Sequence, residues 1–330
     1  MSDTMAGFEL HQPIDVDDVL ELKRRYGTAG WLLAGGLDSL DWFKDRVKTP
    51  EAVIDLTDVE ALHGVRETDD GIEIGAVTTL TEVERNPVIR RRFRLLAEAA
   101  AQVASPQIRH AGTLGGNVCQ DTRCWYYRYG VDCYRAGGNT CYAAAPDAQN
   151  REHAIFGASR CVAVSPSDTA PALVALDAEM IIRGPEGQRV VAAGDFFMEP
   201  SVDIQRMTVL GPDELLVAIR IPSTWAEAHF YFEKVADRNS WDFALASVAA
   251  AFRTDRIAVD DVRLVCGSVQ CVPRRMEAVE RAVRGRVQTP EGVEAAGALA
   301  TRGAEPLAYN GYKIQLVENL VKRALRSIAA

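Results

Sequence analysis

The stretch "LLAGGLDSL", Leu32 to Leu40, places a glycine pair directly after a short apolar run, and "GTLGGN", Gly112 to Asn117, holds a second pair. Glycine lets the backbone adopt positive φ and approach a ligand closely, so that successive amide N–H groups form a concave anion site. Neither stretch matches the GxGxxG pattern of a dinucleotide-binding helix or the lysine-containing Walker phosphate loop. A lone Gly-Gly is usually only a turn. Two of them in one domain could hold a diphosphate from both sides.

The residues around these turns predict a mixture of helices and strands. Asp15 can cap a helix that carries Val16, Val19 and Leu20 on one face. Apolar residues from Phe93 to Ala104 keep helical spacing up to Pro106, after which residues 107–117 predict the second turn. Short apolar runs predict strands, the last of which ends at Pro222: 30–33, 52–56, 71–76, 161–164, 179–184 and 214–222.

The pattern changes after Pro222. Residues 229–236 and 262–269 predict strands, and the small-residue run "FALASVAAAF", 243–252, predicts a helix between them. A terminal helix carries one apolar stripe, formed by Leu316, Val317, Leu320, Val321 and Leu325. We therefore expect a domain boundary near residues 222–226.

Composition narrows the possible classes of protein. The chain has 330 residues, is 48% hydrophobic and carries a formal net charge of -9, which disfavours a general nucleic-acid binder because phosphate contacts need a concentrated basic surface. No basic start is followed by an apolar run, and no segment approaches about 18 uninterrupted apolar residues. We expect a cytoplasmic protein without membrane insertion. In that reducing compartment, clustered cysteines are metal ligands or redox groups more often than structural disulfides.

Cysteines are concentrated after the second glycine turn. Four of the seven lie between Gly115 and Pro146, at positions 119, 124, 133 and 141, and Cys161 follows. The steps of five, nine, eight and twenty residues give neither the paired CxxC of a zinc ribbon nor the compact ferredoxin run. Spacing alone leaves a zinc knot and a four-iron cluster both open.

Six motifs, in this order along nearly the whole chain, carry a resemblance to a known family: "LLAGGLDSL", "GAVTTLTEVE", "IRHAGTLGGNVC", "SPSDTAPALVALDA", "DELLVAIRIP" and "FEKVADRNSWDFALASVA". The chain resembles the FAD-binding medium subunit of the molybdenum hydroxylases, which include carbon monoxide dehydrogenase and xanthine dehydrogenase. The resemblance implies an α+β fold: a FAD-binding region of the vanillyl-alcohol-oxidase (PCMH) type over 1–223, and a C-terminal domain like that of the carbon monoxide dehydrogenase flavoprotein over 224–330. The first region would divide into subdomains at about 1–58 and 59–223, with the cysteine-rich segment inserted at about 118–163.

The resemblance also implies which residues contact FAD. The first turn would offer its residues to the diphosphate, namely Ala34, Gly35, Gly36, Leu37, Asp38 and Ser39. The second would offer Thr113, Gly115, Gly116 and Asn117. Asp168 matches a family aspartate near the flavin, Val217 an apolar flavin contact, and Lys234 a lysine at the flavin site. Without the family, Asp168 would be interpreted as a turn or helix cap and Lys234 as a solvated strand residue.

The cysteine segment resembles the insertion in the flavoprotein subunit of 4-hydroxybenzoyl-CoA reductase, a family member with an additional 4Fe-4S cluster. This resemblance implies four ligands: Cys124, Cys133, Cys141 and Cys161. Cys119 would be a spare thiol, and Cys266 and Cys271 would have no metal role. The aromatic side chains of the segment could exclude water from the cluster or simply pack the insertion onto the domain. Its arginines, Arg123, Arg128 and Arg135, could dock an acidic carrier or be solvated.

The implied function is that of an electron-transfer subunit without catalytic residues of its own. It would carry FAD and the cluster, pair with a 2Fe-2S small subunit and a molybdenum-cofactor large subunit in a dimer of heterotrimers, and receive electrons from a ferredoxin-like carrier. The reaction of the complex would be reductive dehydroxylation of 4-hydroxybenzoyl-CoA or a related aromatic compound. The alternatives are an oxidative molybdenum hydroxylase, a free-standing flavin oxidase, and a non-redox module knotted by zinc.

Overall fold

A computed structural model describes residues 4–255 and 258–329. The strands are β1 Glu9–His11, β2 Gly30–Leu33, β3 Ala52–Asp55, β4 Val65–Thr68, β5 Gly71–Gly75, β6 Glu179–Gly184, β7 Gly187–Ala192, β8 Leu215–Pro222, β9 His229–Val235, β10 Ala246–Asp255, β11 Ala258–Gly267 and β12 Arg274–Arg275. The helices are α1 Val16–Tyr26, α2 Ser39–Lys44, α3 Leu80–Arg85, α4 Pro87–Arg92, α5 Arg94–Ala101, α6 Pro106–Ala111, α7 Leu114–Cys119, α8 Trp125–Arg128, α9 Thr169–Ala175, α10 Ala193–Phe196, α11 Glu277–Val283, α12 Pro290–Ala300 and α13 Tyr312–Arg326. Among these helices, none is long and apolar enough to cross a membrane.

The described strands form three sheets. A parallel sheet has the order β1-β3-β2, and an antiparallel sheet has the order β4-β5-β8-β6-β7. The third sheet, in the order β12-β11-β10-β9, is also antiparallel. In sequence, β8 is the last strand of the five-stranded sheet and β9 is the first strand of the four-stranded sheet. The chain therefore passes from one sheet to the other between Pro222 and His229. Its mixture of helices and sheets fits the α+β class.

Several predicted elements are confirmed. The Asp15 side chain accepts a hydrogen bond from the amide of Asp18 at 2.9 Å and caps α1. α13 buries most of its predicted stripe, including Val317, Leu320 and Leu325, against the four-stranded sheet. The strand predictions near residues 52, 71, 179, 214, 229 and 262 correspond to β3, β5, β6, β8, β9 and β11.

The predicted helix at 243–252 is wrong, since these residues contribute to β10, a strand that pairs with both β9 and β11. Residues 246–252 are all buried. A central strand covered on both faces lacks the polar alternation that marks a half-exposed strand. Its alanines resemble a helix in composition, and tertiary pairing overrides that preference.

Two further predictions need correction. The strand expected at 161–164 is irregular chain. The helix expected from Phe93 ends at Ala101, and Pro106 begins α6 instead of ending a helix. Proline suits the first helical turn because its missing N–H would have no partner there.

The cysteine-rich segment packs against the C-terminal part of the chain. The side-chain amide nitrogen of Asn310 donates to the backbone oxygens of His153 and Ala154, both at 3.0 Å. The buried Lys313 ammonium donates to the backbone oxygens of Glu152 at 2.8 Å and Ser268 at 2.9 Å. These contacts hold the end of the segment in place although it has little regular structure.

Candidate functional site

The first glycine turn joins β2 to α2. Gly36 has φ +74°, a left-handed conformation that glycine adopts without steric cost. Within the described residues, the amide N–H groups of Gly35, Gly36, Leu37 and Asp38 have no protein acceptor. Ser39 follows at the start of α2, and its hydroxyl accepts a hydrogen bond from the Trp31 indole at 2.8 Å. The turn therefore presents four free donors, which suits an anionic group such as a diphosphate.

The second glycine pair lies inside a helix, α7, and not in an open turn. The Thr113 hydroxyl caps this helix by accepting from the amide of Gly116 at 3.0 Å. The amides of Leu114 and Gly115 donate to the backbone oxygens of Thr78 and Ala76 at 2.9 and 2.8 Å. The Asn117 amide donates to the backbone oxygen of Thr113 at 2.9 Å. Four successive amides thus donate to protein oxygens, so residues 114–117 form a capped helix and not the expected open turn.

The two glycine segments lie against each other. A Cβ atom at Gly35 would lie 2.0 Å from the backbone oxygen of Ala111, and one at Gly116 would lie 3.9 Å from the Cβ of Ala34. A Cβ at Gly115 would lie 2.7 Å from the backbone oxygen of Ala76. Gly35 and Gly115 are therefore required by contacts between protein segments, which a side chain would push apart.

Val217 lies beside the second segment. Its backbone oxygen accepts from the amide of Ala76 at 3.0 Å, and the oxygen of Ala76 accepts from Gly115. The half-buried Val217 side chain packs with the core beneath the parallel sheet. The structure therefore brings this predicted flavin contact to the same region as the two glycine segments.

Asp168 and Lys234 form a buried ion pair. The Lys234 ammonium lies 2.6 Å from Asp168 Oδ2, with side-chain exposures of 5% and 4%. Lys234 also donates to the backbone oxygens of Gln102 and Asp242 at 2.9 and 2.8 Å. Burial raises the pKa of Asp168 to about 6, and the nearby Lys234 cation opposes that rise. The solvated interpretation of Lys234 is wrong.

Asn117 connects this ion pair to the second glycine segment. Its side-chain oxygen accepts from the hydroxyls of Ser167 and Thr169, both at 2.6 Å. These hydroxyls flank Asp168, so one buried amide fixes the loop that carries the aspartate. These two neighbours of Asn117 lie 50 and 52 residues away in sequence, and no local spacing pattern indicates them.

The four proposed cluster ligands line one small cavity. Its walls include the thiols of Cys124, Cys133, Cys141 and Cys161, together with the side chains of Tyr126, Tyr127, Tyr142 and Arg135. Burial raises the pKa of the Cys124 thiol to about 12. The free volume is about 10 Å³, about that of one water molecule. A bound inorganic cluster would therefore require the thiols to move apart.

The other three cysteines have different surroundings. Cys119 packs against the main core beside the five-stranded sheet, away from the cavity, and Cys266 is buried among the C-terminal helices. Cys271 is different, since it is buried in a small cluster with Cys161 and accepts from Arg135 at 3.5 Å. All seven cysteines lie within the described residues and are free thiols. Within the same residues, no three His, Cys, Asp or Glu side chains are arranged to hold a single metal ion.

Arginines connect the cysteine segment to the first glycine turn. Arg123 and Arg128 lie 2.9 and 2.8 Å from Asp38 Oδ1, at angles that make these contacts ion pairs and not aligned hydrogen bonds. The Arg128 guanidinium also stacks on Trp42 at 3.7 Å from the ring centroid. Arg135 is not solvated, since its side chain is 1% exposed, whereas the side chains of Arg128 and Arg123 are 13% and 31% exposed. No local sequence pattern indicates that Asp38 pairs with arginines 85 and 90 positions later.

Two family models match the chain. The model described as "FAD binding domain in molybdopterin dehydrogenase" covers residues 6–224, and that described as "CO dehydrogenase flavoprotein C-terminal domain" covers residues 231–328. The aldehyde oxidoreductase FAD-binding subunit PaoB of Escherichia coli (strain K12) is 35% identical over 90% of each chain. The carbon monoxide dehydrogenase medium chain of Hydrogenophaga pseudoflava is 30% identical over 97% of this chain and 96% of that one.

Solved structures agree with these matches. Carbon monoxide dehydrogenase from Hydrogenophaga pseudoflava, lacking the Mo-pyranopterin moiety of the molybdenum cofactor, superposes with a TM-score of 0.79 at 29% identity, over 99% of this chain and 98% of that one. Reconstituted CO dehydrogenase from Oligotropha carboxidovorans gives a TM-score of 0.79 at 25% identity, with 99% of each chain covered. The predicted fold class is confirmed. The chain belongs to the FAD-binding medium subunits of the molybdenum hydroxylase, or molybdopterin dehydrogenase, family.

Proposed function

We propose that this FAD-binding oxidoreductase subunit also carries a 4Fe-4S cluster on Cys124, Cys133, Cys141 and Cys161 and passes electrons between an external carrier and its partner subunits. One observation carries the proposal: four cysteines spread over 38 positions of irregular chain line a single buried cavity. Buried cysteines are ordinary as small apolar residues. Their convergence on one cavity, with a buried guanidinium in its wall, is characteristic of a ligand site.

The resemblance of the cysteine segment to the insertion of 4-hydroxybenzoyl-CoA reductase favours a cluster over a zinc knot. Zinc needs four sulfurs about 2.3 Å from one central point. In a four-iron cluster each thiolate binds a different iron, so the sulfurs surround a larger volume. Tyrosine side chains in the cavity wall would exclude water and so shift the potential of a bound cluster.

For FAD, we propose that the free amides of the first turn, residues 34–39, bind the diphosphate. The second segment, through Thr113, Gly115, Gly116 and Asn117, would support that turn and fix the Asp168 loop. Val217 and the Asp168–Lys234 pair would border the flavin. The four unpartnered amides are the observation that favours this division of roles.

The two cofactor sites would be neighbours, since Asp38 of the first turn contacts Arg123 and Arg128 on either side of Cys124 in sequence. A flavin exchanges one or two electrons and an iron–sulfur cluster exchanges one, so the pair can match carriers of different types. We propose a 2Fe-2S small subunit and a molybdenum-cofactor large subunit as partners, in a dimer of heterotrimers located in the cytoplasm. We also propose the domain division at 223/224, with the cluster-binding insertion at 118–163.

Two substrates are candidates for the whole complex. The cysteine spacing resembles that of 4-hydroxybenzoyl-CoA reductase, which favours reductive dehydroxylation with electrons from a ferredoxin-like carrier. The 35% identity to an aldehyde oxidoreductase subunit favours oxidation of an aldehyde. Assays of the purified complex distinguish them: an aldehyde with an oxidised dye tests the second, and 4-hydroxybenzoyl-CoA with a reduced low-potential carrier tests the first.

Anaerobic purification tests the cofactor content directly. We expect about four irons and four sulfides per FAD, and zinc without iron or sulfide would contradict the proposal. Cys124→Ser should lose the cluster and keep FAD. Cys119→Ser is the matched control because its thiol lies in the core, and it should keep both cofactors. Equal iron loss in the two variants would refute the ligand assignment.

A further inference from the structure

Arg135 is a buried cation in the wall of the cysteine cavity. Its side chain is 1% exposed. One guanidinium nitrogen donates to Cys271 Sγ at 3.5 Å, and another donates to the backbone oxygen of Gln205 at 3.4 Å and lies 3.6 Å from Asp121 Oδ1. The guanidinium also faces the Cys161 thiol. Its Nε has no partner among the described residues.

This environment leaves part of the hydrogen-bonding capacity of the guanidinium unused within the described residues. A buried cation requires good hydrogen-bond acceptors and opposite charge. Its neighbouring carboxylate, Asp121, is shared with the Tyr127 hydroxyl, which donates to Asp121 Oδ2 at 3.0 Å. Neutral thiols are weak acceptors. Sulfur that carries negative charge would complete the coordination of Arg135, and metal-bound thiolates supply that charge.

We propose that Arg135 is a positioning and tuning residue that raises the reduction potential of the cluster by directing its charge and N–H groups at the sulfur of Cys161. This inference rests on the proposed cluster. One-electron reduction adds a negative charge to the cluster, and a fixed cation stabilises the reduced form more than the oxidised form. Hydrogen bonds to cluster sulfurs and net charge are established determinants of such potentials. The buried setting strengthens the effect because water does not screen it.

Cys271 has a separate part in this arrangement. Its thiol is buried against Met207 and accepts from the guanidinium, so it helps to fix the orientation of Arg135. It follows that a cysteine outside the ligand set influences the cluster without binding iron. The Cys271→Ala variant should retain all of the iron and show a smaller shift in potential than loss of Arg135.

The experiment is a redox titration of the complete complex with dithionite and mediator dyes, in which the EPR signal of the reduced 4Fe-4S cluster is followed. Arg135→Gln should favour the oxidised cluster by about tenfold, a fall of about 59 mV for a one-electron couple. The matched control is Arg160→Gln, since Arg160 adjoins Cys161 in sequence but its side chain is exposed. The reduction potential of the cluster in Arg160→Gln should equal that in the wild type.

The outcomes separate this inference from the proposed function. A wild-type protein without iron or sulfide refutes the cluster itself. A cluster present in both proteins, with the same potential in wild type and Arg135→Gln, overturns the role of Arg135 alone. If Arg135→Gln does not retain the cluster, the Arg135→Lys variant is titrated in its place. Lysine keeps the charge but loses the planar set of donors, so the reduction potential of the cluster should fall by less. An unchanged potential in Arg135→Lys overturns the inference.

Discussion

The two glycine segments look alike in sequence but use their backbone amides in opposite ways. In the first, the amides of Gly35 to Asp38 have no acceptor in the part of the chain that the structure describes; in the second, those of Leu114 to Asn117 donate to protein oxygens. A glycine pair therefore has two physical uses. One exposes donors to a ligand, and the other lets backbones pack closely. Substitutions in the second segment and at Gly35 should act mainly on stability, and a substitution at Gly36 mainly on flavin affinity.

The largest effect is expected at Gly115. Alanine there would place a Cβ 2.7 Å from the oxygen of Ala76 and 2.9 Å from its Cβ, and overpacking of this kind should lower the free energy of unfolding by about 3 kcal/mol. Urea unfolding of the flavin-free protein measures this loss. Gly194→Ala is the control, since a Cβ there meets nothing within 4 Å. Equal stability of the two variants would show that the second segment does not need its glycine for packing.

Asn117→Ala should destabilise the protein by about 2 kcal/mol, because it leaves two buried hydroxyls without their acceptor. Thr169→Val removes one of these donors and keeps the side-chain shape, so its unfolding free energy should lie between those of wild type and Asn117→Ala. The same unfolding curves provide the comparison. If Thr169→Val lowered the free energy of unfolding more than Asn117→Ala does, Asn117 would not be the centre of this hydrogen-bond network.

Gly36→Ala tests the first turn. Its φ of +74° imposes a strain of about 1 kcal/mol on alanine, while relief of that strain would turn the free amides away from the diphosphate. We expect FAD affinity, measured by fluorescence titration, to fall by about tenfold, equivalent to about 1.4 kcal/mol. Gly187→Ala carries similar backbone strain, at φ +103° in the β6–β7 hairpin with no neighbour within 4 Å, and should bind FAD normally. Equal affinity in both variants would argue against the turn as the diphosphate site.

Asp38→Asn should have the smallest effect. It removes the charge that pairs with Arg123 and Arg128, and partly exposed ion pairs contribute about 0.5–1 kcal/mol, which salt screens. The difference in unfolding free energy from wild type should shrink in high salt. Asp41→Asn changes a neighbouring exposed aspartate that acts on Arg123 more weakly than Asp38 does, and the resulting loss of unfolding free energy should be smaller. A salt-independent loss at Asp38 would point to a structural defect.

Ordered motifs predicted the fold better than single patterns did. Strands with apolar runs and the stripe of α13 were predicted because their periodicity is local. The alanine-rich β10 was not, since only its pairing with β9 and β11 makes it a strand. The same limit applies to the site: the Asp168–Lys234 pair spans 66 residues, and the Asp38–Arg128 pair spans 90. Such contacts depend on the tertiary fold.

Hydrogen exchange of the flavin-free protein, with and without added FAD, tests the central contrast most directly. Amides that donate to buried protein oxygens exchange only when the structure opens, whereas free amides exchange readily. FAD should strongly protect Gly35 to Asp38 and change Leu114 to Asn117 little, since the latter are already protected. Unchanged exchange at the first turn, with new protection confined to the second segment, would contradict the account.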